Sequence, residues 1–237
     1  MQKSFIWFDL GYTLVYQNRE SAYRTLLLEQ GIDHIPLEEI EKAYHMTDKL
    51  FMRQYPGALG KELYSFYPWY IGTLNYSLNV SFDLRKQCER LLQLQGEQQP
   101  MWRSFPFAAE VLGKLKRHNF GVGLISNWNK SCRDVLADNG LASYFDEIVV
   151  SAEVGLEKPD KRIFIKAMSE AGVKPEQCVY VGDNYYDDVI GSAGAGIDCY
   201  LINRFGRLGI EELQYDRLIV SIEELPELLL KPEQMIS

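Results

Sequence analysis

The chain has little cysteine, and the cysteines it has are far apart. Its 237 residues include four cysteines, at Cys88, Cys132, Cys178 and Cys199, and three histidines. No two of these cysteines form a Cys-x-x-Cys pair, which argues against a structural zinc site and a thioredoxin-like redox motif. We therefore expect four reduced, buried thiols, as is usual for a cytoplasmic protein.

Long apolar runs and an excess of positive charge are also missing. No stretch reaches the roughly 20 apolar residues that a membrane-spanning helix needs, and the N-terminal residues lead into a predicted strand without the apolar core of a signal peptide. The 25 lysines and arginines are outnumbered by 33 aspartates and glutamates, for a net charge of −8. Surfaces that bind polyanions need clustered lysine and arginine. The composition thus favours a cytoplasmic protein with no membrane and no nucleic-acid partner.

Five short apolar runs predict a parallel β-sheet. They are rich in valine and isoleucine, which is typical of strands that are buried on both faces. Helical patterns lie between the last four runs, and this alternation is typical of a doubly wound, Rossmann-like α/β domain. The runs are FIWF (5–8), FGVGLIS (120–126), EIVVS (147–151), CVYVG (178–182) and CYLIN (199–203).

The segment between the first and second runs has a different character. Its pattern is helical, without a convincing buried strand, and it is far longer than the dozen or so residues of a simple crossover. We therefore predict an all-helical subdomain at residues 16–104, inserted into an α/β core that comprises residues 1–15 and 105–237.

Polar side chains follow four of the predicted strands. Because the carboxyl ends of parallel strands face one crevice, these side chains should converge. Carboxylates suit a magnesium ion, whereas a hydroxyl and an ammonium suit phosphate oxygens. The sequence therefore predicts a magnesium site combined with a phosphoryl-binding site. The residues are Asp9, Ser126, Lys158 and Asp183, with Asp187 and Asp188 just beyond the last of these.

Each of these residues also has a purely structural interpretation. Asp9 could be a turn residue, and Lys158 could be a solvated loop lysine. Ser126 and Asn127 could cap the helix that follows them. The acids after the fourth strand could simply complement a helix dipole. The functional interpretation is favoured because all the residues occur together at predicted strand ends.

The sequence resembles the haloacid dehalogenase-like hydrolases, most of which are magnesium-dependent phosphatases. Four motifs of that family appear in order: D-x-x-x-T (9–13), an apolar run that ends in serine (126), Lys-Pro (158–159) and G-D-x-x-x-x-D (182–188). The resemblance covers the whole predicted core. The helical insertion, between the first two motifs, looks like that family's cap domain.

The resemblance implies a role for each phosphoryl-binding residue. Asp9 would be the nucleophile and would form an aspartyl-phosphate. Thr13 would fix the turn that aims this carboxylate. Ser126, Asn127 and Lys158 would bind the transferring phosphoryl group of a small phosphorylated substrate.

The resemblance also implies a set of magnesium ligands. Asp9, the backbone carbonyl of Gly11 and Asp183 would bind Mg²⁺ directly. Asp188 would orient metal-bound water or the catalytic lysine, with Asp187 as the alternative for that duty.

Gly11 departs from the family pattern. Most phosphatases of the family carry a second aspartate there, which protonates the leaving alkoxide and later activates water. General acid–base catalysis of this kind is typically worth about 10²–10⁴-fold. Glycine cannot supply it, although its carbonyl can still serve the metal. We expect a phosphatase whose proton comes from water, a cap residue or the substrate, or one whose leaving group needs no proton.

Three other functions stay open. The phosphonate-cleaving branch has a small residue at this position and a cap lysine that forms an imine, for which Lys42, Lys49 and Lys61 are candidates. A dehalogenase keeps the aspartate nucleophile without a second aspartate, although the two acids of the fourth motif favour the magnesium-dependent branches. A binding or regulatory protein could retain the fold without catalysis. The sequence is compatible with a monomer or a homodimer.

Overall fold

The computed structural model describes residues 3–60, 63–98 and 100–230. The chain forms two compact units, of which the α/β unit comprises residues 1–16, 103–206 and 213–237, and the helical unit comprises residues 17–102 and 207–212. Within the described ranges, no helix combines the length and the apolar character that a membrane crossing requires. All four cysteines are buried and free.

The α/β unit contains a six-stranded sheet and a two-stranded ribbon. In chain order the strands are β1 (Phe5–Phe8), β2 (Val15–Tyr16), β3 (Arg103–Ser104), β4 (Gly121–Ser126), β5 (Glu147–Val150), β6 (Cys178–Gly182), β7 (Asp198–Ile202) and β8 (Leu218–Ile219). The six-stranded sheet has the order β5-β4-β1-β6-β7-β8 and is parallel throughout. The predicted doubly wound α/β fold is therefore confirmed. Strand β8 was not predicted.

Helices cover the sheet and build the helical unit. In chain order they are α1 (Arg19–Glu29), α2 (Leu37–Gln54), α3 (Leu63–Ser77), α4 (Leu84–Gly96), α5 (Ala108–Arg117), α6 (Cys132–Asp138), α7 (Ser151–Val154), α8 (Lys161–Ala171), α9 (Ile190–Gly194) and α10 (Leu225–Leu229). A π-helical turn, Tyr185–Val189, directly precedes α9. Turns of this kind occur frequently at functional sites.

Strand β1 lies at the centre of the sheet because all four of its side chains are buried and apolar. Its aromatic rings need space on the neighbouring strand β4, where Gly121 pairs with Phe5 and Gly123 pairs with Trp7. A Cβ at Gly123 would lie 2.3 Å from the ring of Trp7, and one at Gly121 would lie 2.2 Å from the ring of Phe5. The two glycines of β4 thus leave space for the large rings of β1 at the centre of the sheet.

The chain leaves the α/β unit and returns to it side by side. Val15 pairs with Ser104, and Tyr16 pairs with Arg103, in the antiparallel ribbon of β2 and β3. Between these points, helices α1 to α4 pack around their own apolar core, which includes the buried Tyr23, Tyr44, Phe51 and Leu91.

A short segment far along the chain, residues 207–212, belongs to the helical unit. His45 Nε2 on α2 donates to the Leu208 carbonyl oxygen at 2.9 Å, and Arg53 pairs with Glu212 at 2.6 Å. The predicted boundaries, 16–104 for the insertion and 105–237 for the second part of the core, did not separate this segment. The assignment of the helical unit as a cap domain stays a prediction.

Candidate functional site

The turn after β1 presents Asp9 at the carboxyl edge of the sheet. The Asp9 amide donates to the Val181 carbonyl oxygen at 2.9 Å, which continues the pairing of β1 with β6. The amides of Leu14 and Val15 then both donate to the Leu10 carbonyl oxygen. Because these backbone bonds close the turn one residue after Asp9, they fix the direction in which its carboxylate leaves the sheet.

Tyr12 and Thr13, in this turn, have an unusual backbone angle and an unusual side-chain environment, respectively. Tyr12 has φ +54°, which is uncommon for a bulky side chain, and its amide donates to the Val15 carbonyl oxygen at 2.7 Å. The Thr13 hydroxyl is buried and has no hydrogen-bond partner among the described residues. The turn is thus closed by backbone bonds, and the predicted role of Thr13 in fixing it stays a prediction.

The structure brings Asp9, Ser126 and Lys158 into direct contact. The Ser126 hydroxyl donates to Asp9 Oδ1 at 2.9 Å, and Lys158 Nζ donates to the same oxygen at 2.8 Å. All three side chains are buried. Burial raises the pKa of the Asp9 carboxyl, and the adjacent Lys158 ammonium opposes this rise.

Lys158 uses all three of its N–H donors. Besides Asp9 Oδ1, they reach Asp188 Oδ1 at 2.6 Å and the Tyr180 hydroxyl at 2.9 Å. Burial by itself would lower the pKa of Lys158, but the carboxylates of Asp188 and Asp9 raise it well above its ordinary value. An ammonium offers three donors and no acceptor, so this buried charge is fully hydrogen-bonded.

Asn127 holds the backbone of Lys158. The Lys158 amide donates to Asn127 Oδ1 at 2.7 Å, and Asn127 Nδ2 donates to the Lys158 carbonyl oxygen at 2.9 Å. This pair of bonds connects the end of β4 with the loop that carries the lysine. The predicted contact of Asn127 with substrate stays a prediction.

The π-helical turn after β6 separates the two candidate acids, Asp187 and Asp188. Asp188 is fully buried, and its second oxygen, Oδ2, accepts from the Asn184 amide at 2.9 Å. Asp187 is only half-buried and accepts from Asn184 Nδ2 at 2.9 Å. Burial raises the pKa of Asp187 to about 7. Of these two acids, Asp188 accepts the hydrogen bond from Lys158, whereas Asp187 accepts from Asn184.

Comparison with known proteins connects this geometry to a family. Residues 6–202 match the family described as haloacid dehalogenase-like hydrolase. The chain belongs to that family. The family resemblance of the sequence is thereby confirmed, and the protein is a hydrolase.

The relatives of this hydrolase include enzymes named as phosphatases. Glyceraldehyde 3-phosphate phosphatase of Pyrococcus furiosus is 26% identical over 233 residues, covering 94% of this chain and 90% of the relative. The Methanothermobacter thermautotrophicus protein of the same name is 39% identical over 107 residues, covering 43% of this chain and 45% of the relative. Pyrimidine 5'-nucleotidase YjjG of Escherichia coli is 35% identical over 129 residues, covering 53% of this chain and 56% of the relative. In the last two comparisons the match spans about half of the relative.

Solved structures share the fold of this hydrolase. The HAD-hydrolase YfnB of Bacillus subtilis, bound to magnesium, has a TM-score of 0.66 at 19% identity, covering 98% of this chain and 100% of that one. A HAD phosphatase of Thermococcus onnurineus has a TM-score of 0.58 at 23% identity, covering 97% of this chain and 98% of that one. At these identities the likeness concerns the fold alone.

The carboxylates of this hydrolase suit a divalent cation. One carboxylate oxygen from each of Asp9, Asp183 and Asp188 lies within 4.8 Å of the others. Lys158 Nζ pairs with two of these carboxylates, Asp9 at 2.8 Å and Asp188 at 2.6 Å. Oxygen ligands of this type are those that Mg²⁺ prefers. The donor set therefore fits the magnesium ion that the family generally uses.

Three residues that support this cluster were not singled out from the sequence. They are Tyr180, Gly182 and Asn184. The Tyr180 hydroxyl accepts from Lys158, the Asn184 amide donates to Asp188, and Gly182 lies against the Asp188 carboxylate. Tyr180 did leave a signal, since it is the one hydroxyl-bearing residue in the strand CVYVG. Gly182 and Asn184 lie inside the fourth motif. Gly182 is the glycine of that motif, and Asn184 occupies a position at which the motif specifies no residue.

Gly182 makes room for the Asp188 carboxylate, and we expect alanine there to disrupt the cluster. A Cβ at this position would lie 2.2 Å from Asp188 Oδ2. Overpacking of this kind typically lowers the free energy of unfolding by about 1–3 kcal/mol, and here it also moves the partner of Lys158. Urea unfolding and kcat of Gly182→Ala measure both effects.

Gly194→Ala is the matched control for this substitution. A Cβ at Gly194 would approach its nearest neighbour, Lys161 Cβ, at an ordinary 3.5 Å. We expect this variant to be as stable as the wild type or slightly more stable, because alanine favours the helix. Equal effects of the two substitutions would contradict the assignment of Gly182 to the cluster.

Proposed function

We propose that this hydrolase is a magnesium-dependent phosphatase that acts on a small phosphorylated metabolite through an aspartyl-phosphate on Asp9. The observation that carries the proposal is the cluster in which Ser126 and Lys158 both donate to Asp9 Oδ1. A hydroxyl and an ammonium beside a carboxylate are the groups that phosphoryl transfer to an aspartate requires. The names of the relatives, which include two phosphatases and a nucleotidase, support the same reaction class.

The proposed reaction has two steps. In the first, an oxygen of the Asp9 carboxylate attacks phosphorus, the bond from phosphorus to the substrate oxygen breaks, and the released alkoxide takes a proton from water or from the substrate itself. In the second, water attacks phosphorus, and the bond from phosphorus to the Asp9 oxygen breaks. The attacking water loses a proton to solvent, inorganic phosphate leaves, and the Asp9 carboxylate is restored. Ser126 and Lys158 donate to the phosphoryl oxygens in both steps.

The proposed magnesium ligands are Asp9, Asp183 and the backbone carbonyl of Gly11. In the turn that the structure describes, the backbone bonds use the carbonyls of Leu10 and Val15, so that of Gly11 stays available. When bound, Mg²⁺ neutralises charge on the transferring phosphoryl group. Asp188 would hold Lys158 in place, and Asp187, which has no recorded hydrogen bond to that lysine, is the weaker candidate.

The proposal is tested by a turnover screen with p-nitrophenyl phosphate, acetyl phosphate, and panels of sugar and nucleotide phosphates. Hydrolysis should require Mg²⁺, stop after EDTA treatment and return when Mg²⁺ is added in excess. Calcium is a useful comparison, because it binds oxygen ligands in a looser geometry than Mg²⁺. Turnover that persists undiminished in EDTA would contradict the magnesium-dependent mechanism.

The lysines of the phosphonatase alternative differ in their surroundings. Lys42 is exposed and pairs with Glu38 at 2.7 Å, one helical turn away. Lys49 is buried, and its Nζ lies 3.9 Å from Met52 Sδ. Lys61 lies outside the described residues. Borohydride trapping with phosphonoacetaldehyde tests this alternative, and absence of a trapped adduct at Lys49 would count against it there.

A further inference from the structure

Tyr180 connects three parts of the cluster although it lies inside a strand. Its side chain is fully buried, and its ring packs edge-on against Phe164 at 5.2 Å. Its hydroxyl accepts from Lys158 Nζ at 2.9 Å and donates to the Ile125 carbonyl oxygen at 2.8 Å. Ile125 directly precedes Ser126. The chain of hydrogen bonds therefore runs from the ammonium of the lysine to the strand end that carries the serine.

We infer that Tyr180 is a positioning residue, which holds the Lys158 ammonium at a fixed place relative to Ser126. The effect that we expect on kinetics rests on the proposed phosphatase function. The effect on the position of the Lys158 ammonium does not. Of the three groups that accept from Lys158, Asp9 changes its chemistry during the proposed reaction, because its carboxylate becomes an acyl phosphate. The Tyr180 hydroxyl takes no part in bond making, so it can hold the lysine unchanged through both steps.

The charge of the third acceptor supports the same assignment. The ammonium already faces two carboxylates, Asp9 and Asp188. A third carboxylate would satisfy the last N–H but would also repel an incoming phosphoryl group. A neutral hydroxyl satisfies that N–H without adding negative charge, because its own proton is donated to the Ile125 carbonyl oxygen. Tyrosine thus fixes the lysine and leaves its positive charge available to the phosphate.

Tyr180→Phe removes the hydroxyl and keeps the ring, so it isolates the proposed contact. We expect the inhibition constant of orthovanadate, a phosphate mimic, to rise about tenfold in the magnesium-loaded enzyme, and kcat to fall by a similar factor, which is the effect of losing one hydrogen bond to a charged group. In a crystal structure of the variant, Lys158 Nζ should leave its position or occupy more than one.

Tyr23→Phe is the matched control. Tyr23 is also fully buried, and its hydroxyl donates to Asn75 Oδ1 at 2.6 Å within the helical unit. Both variants lose one buried tyrosine hydroxyl, so both should lose thermal stability. The inhibition constant belongs to the folded fraction alone, so partial unfolding does not change it. We expect it to stay at the wild-type value in Tyr23→Phe.

The possible results separate the inference from the proposed function. An unchanged inhibition constant and an unmoved Lys158 Nζ in Tyr180→Phe would overturn the inference, as would equal increases in the inhibition constant of the two variants. A wild-type enzyme that neither hydrolyses phosphate esters nor responds to vanadate would overturn the proposed function. In that case the position of Lys158 Nζ in the wild-type and Tyr180→Phe crystal structures still decides whether Tyr180 positions the lysine.

Discussion

Asp9→Asn is expected to abolish magnesium-dependent hydrolysis, with kcat at least about 10³-fold below that of the wild type, as is typical when a nucleophile is removed. An amide oxygen of the same shape can still accept from Ser126 and Lys158, as Asp9 Oδ1 does at 2.9 and 2.8 Å. It cannot, however, form the acyl phosphate. The loss should therefore appear in kcat, measured with saturating p-nitrophenyl phosphate and Mg²⁺, while the variant stays folded.

Asp198→Asn is the control for the same chemical change in the same unit. Asp198 lies at the amino end of strand β7, whereas Asp9 follows the carboxyl end of β1. Asp198 pairs on the surface with Lys3 and Arg217. We expect its kcat to equal that of the wild type. Wild-type turnover in Asp9→Asn would sink the aspartyl-phosphate mechanism, and an equal loss in both variants would assign the effect to stability.

The five longer parallel strands could be predicted because each contains a run of apolar residues, most of which are buried in the sheet. Strand β8 has only two residues, too few to leave a pattern. Helix α3 is hard to delimit from the sequence, because Pro68 lies inside it and its aromatic residues show no clear polar face. The segment 207–212 carries no signal of its partner, since its contacts with α2 exist only in the folded chain.

The convergence of Asp9, Ser126 and Lys158 could be predicted because strand ends share one edge of a parallel sheet. The choice between Asp187 and Asp188 could not. Adjacent residues point in directions that differ by about 100° in a regular helix, and a π-helical turn alters these directions further. Sequence spacing therefore does not settle which acid faces the lysine, whereas the geometry assigns that hydrogen bond to Asp188.

Gly11→Asp is expected to raise kcat for alkyl phosphates by about 10²-fold, the lower end of what general acid catalysis contributes. The residue lies in the same turn as Asp9, two positions further along the chain. The added carboxyl can protonate the leaving alkoxide. Acetyl phosphate should gain less than about threefold, because its leaving carboxylate needs no proton.

The dependence of kcat on the leaving group decides whether the missing acid limits this enzyme. Across a series of aryl and alkyl phosphates, log kcat should fall steeply with the pKa of the leaving alcohol in the wild type and much less steeply in Gly11→Asp. Gly11→Asn, which adds the same bulk without an acid, should keep the steep dependence. A wild-type enzyme that already shows the shallow dependence would mean that a group other than residue 11 delivers the proton, and Gly11→Asp would then add nothing.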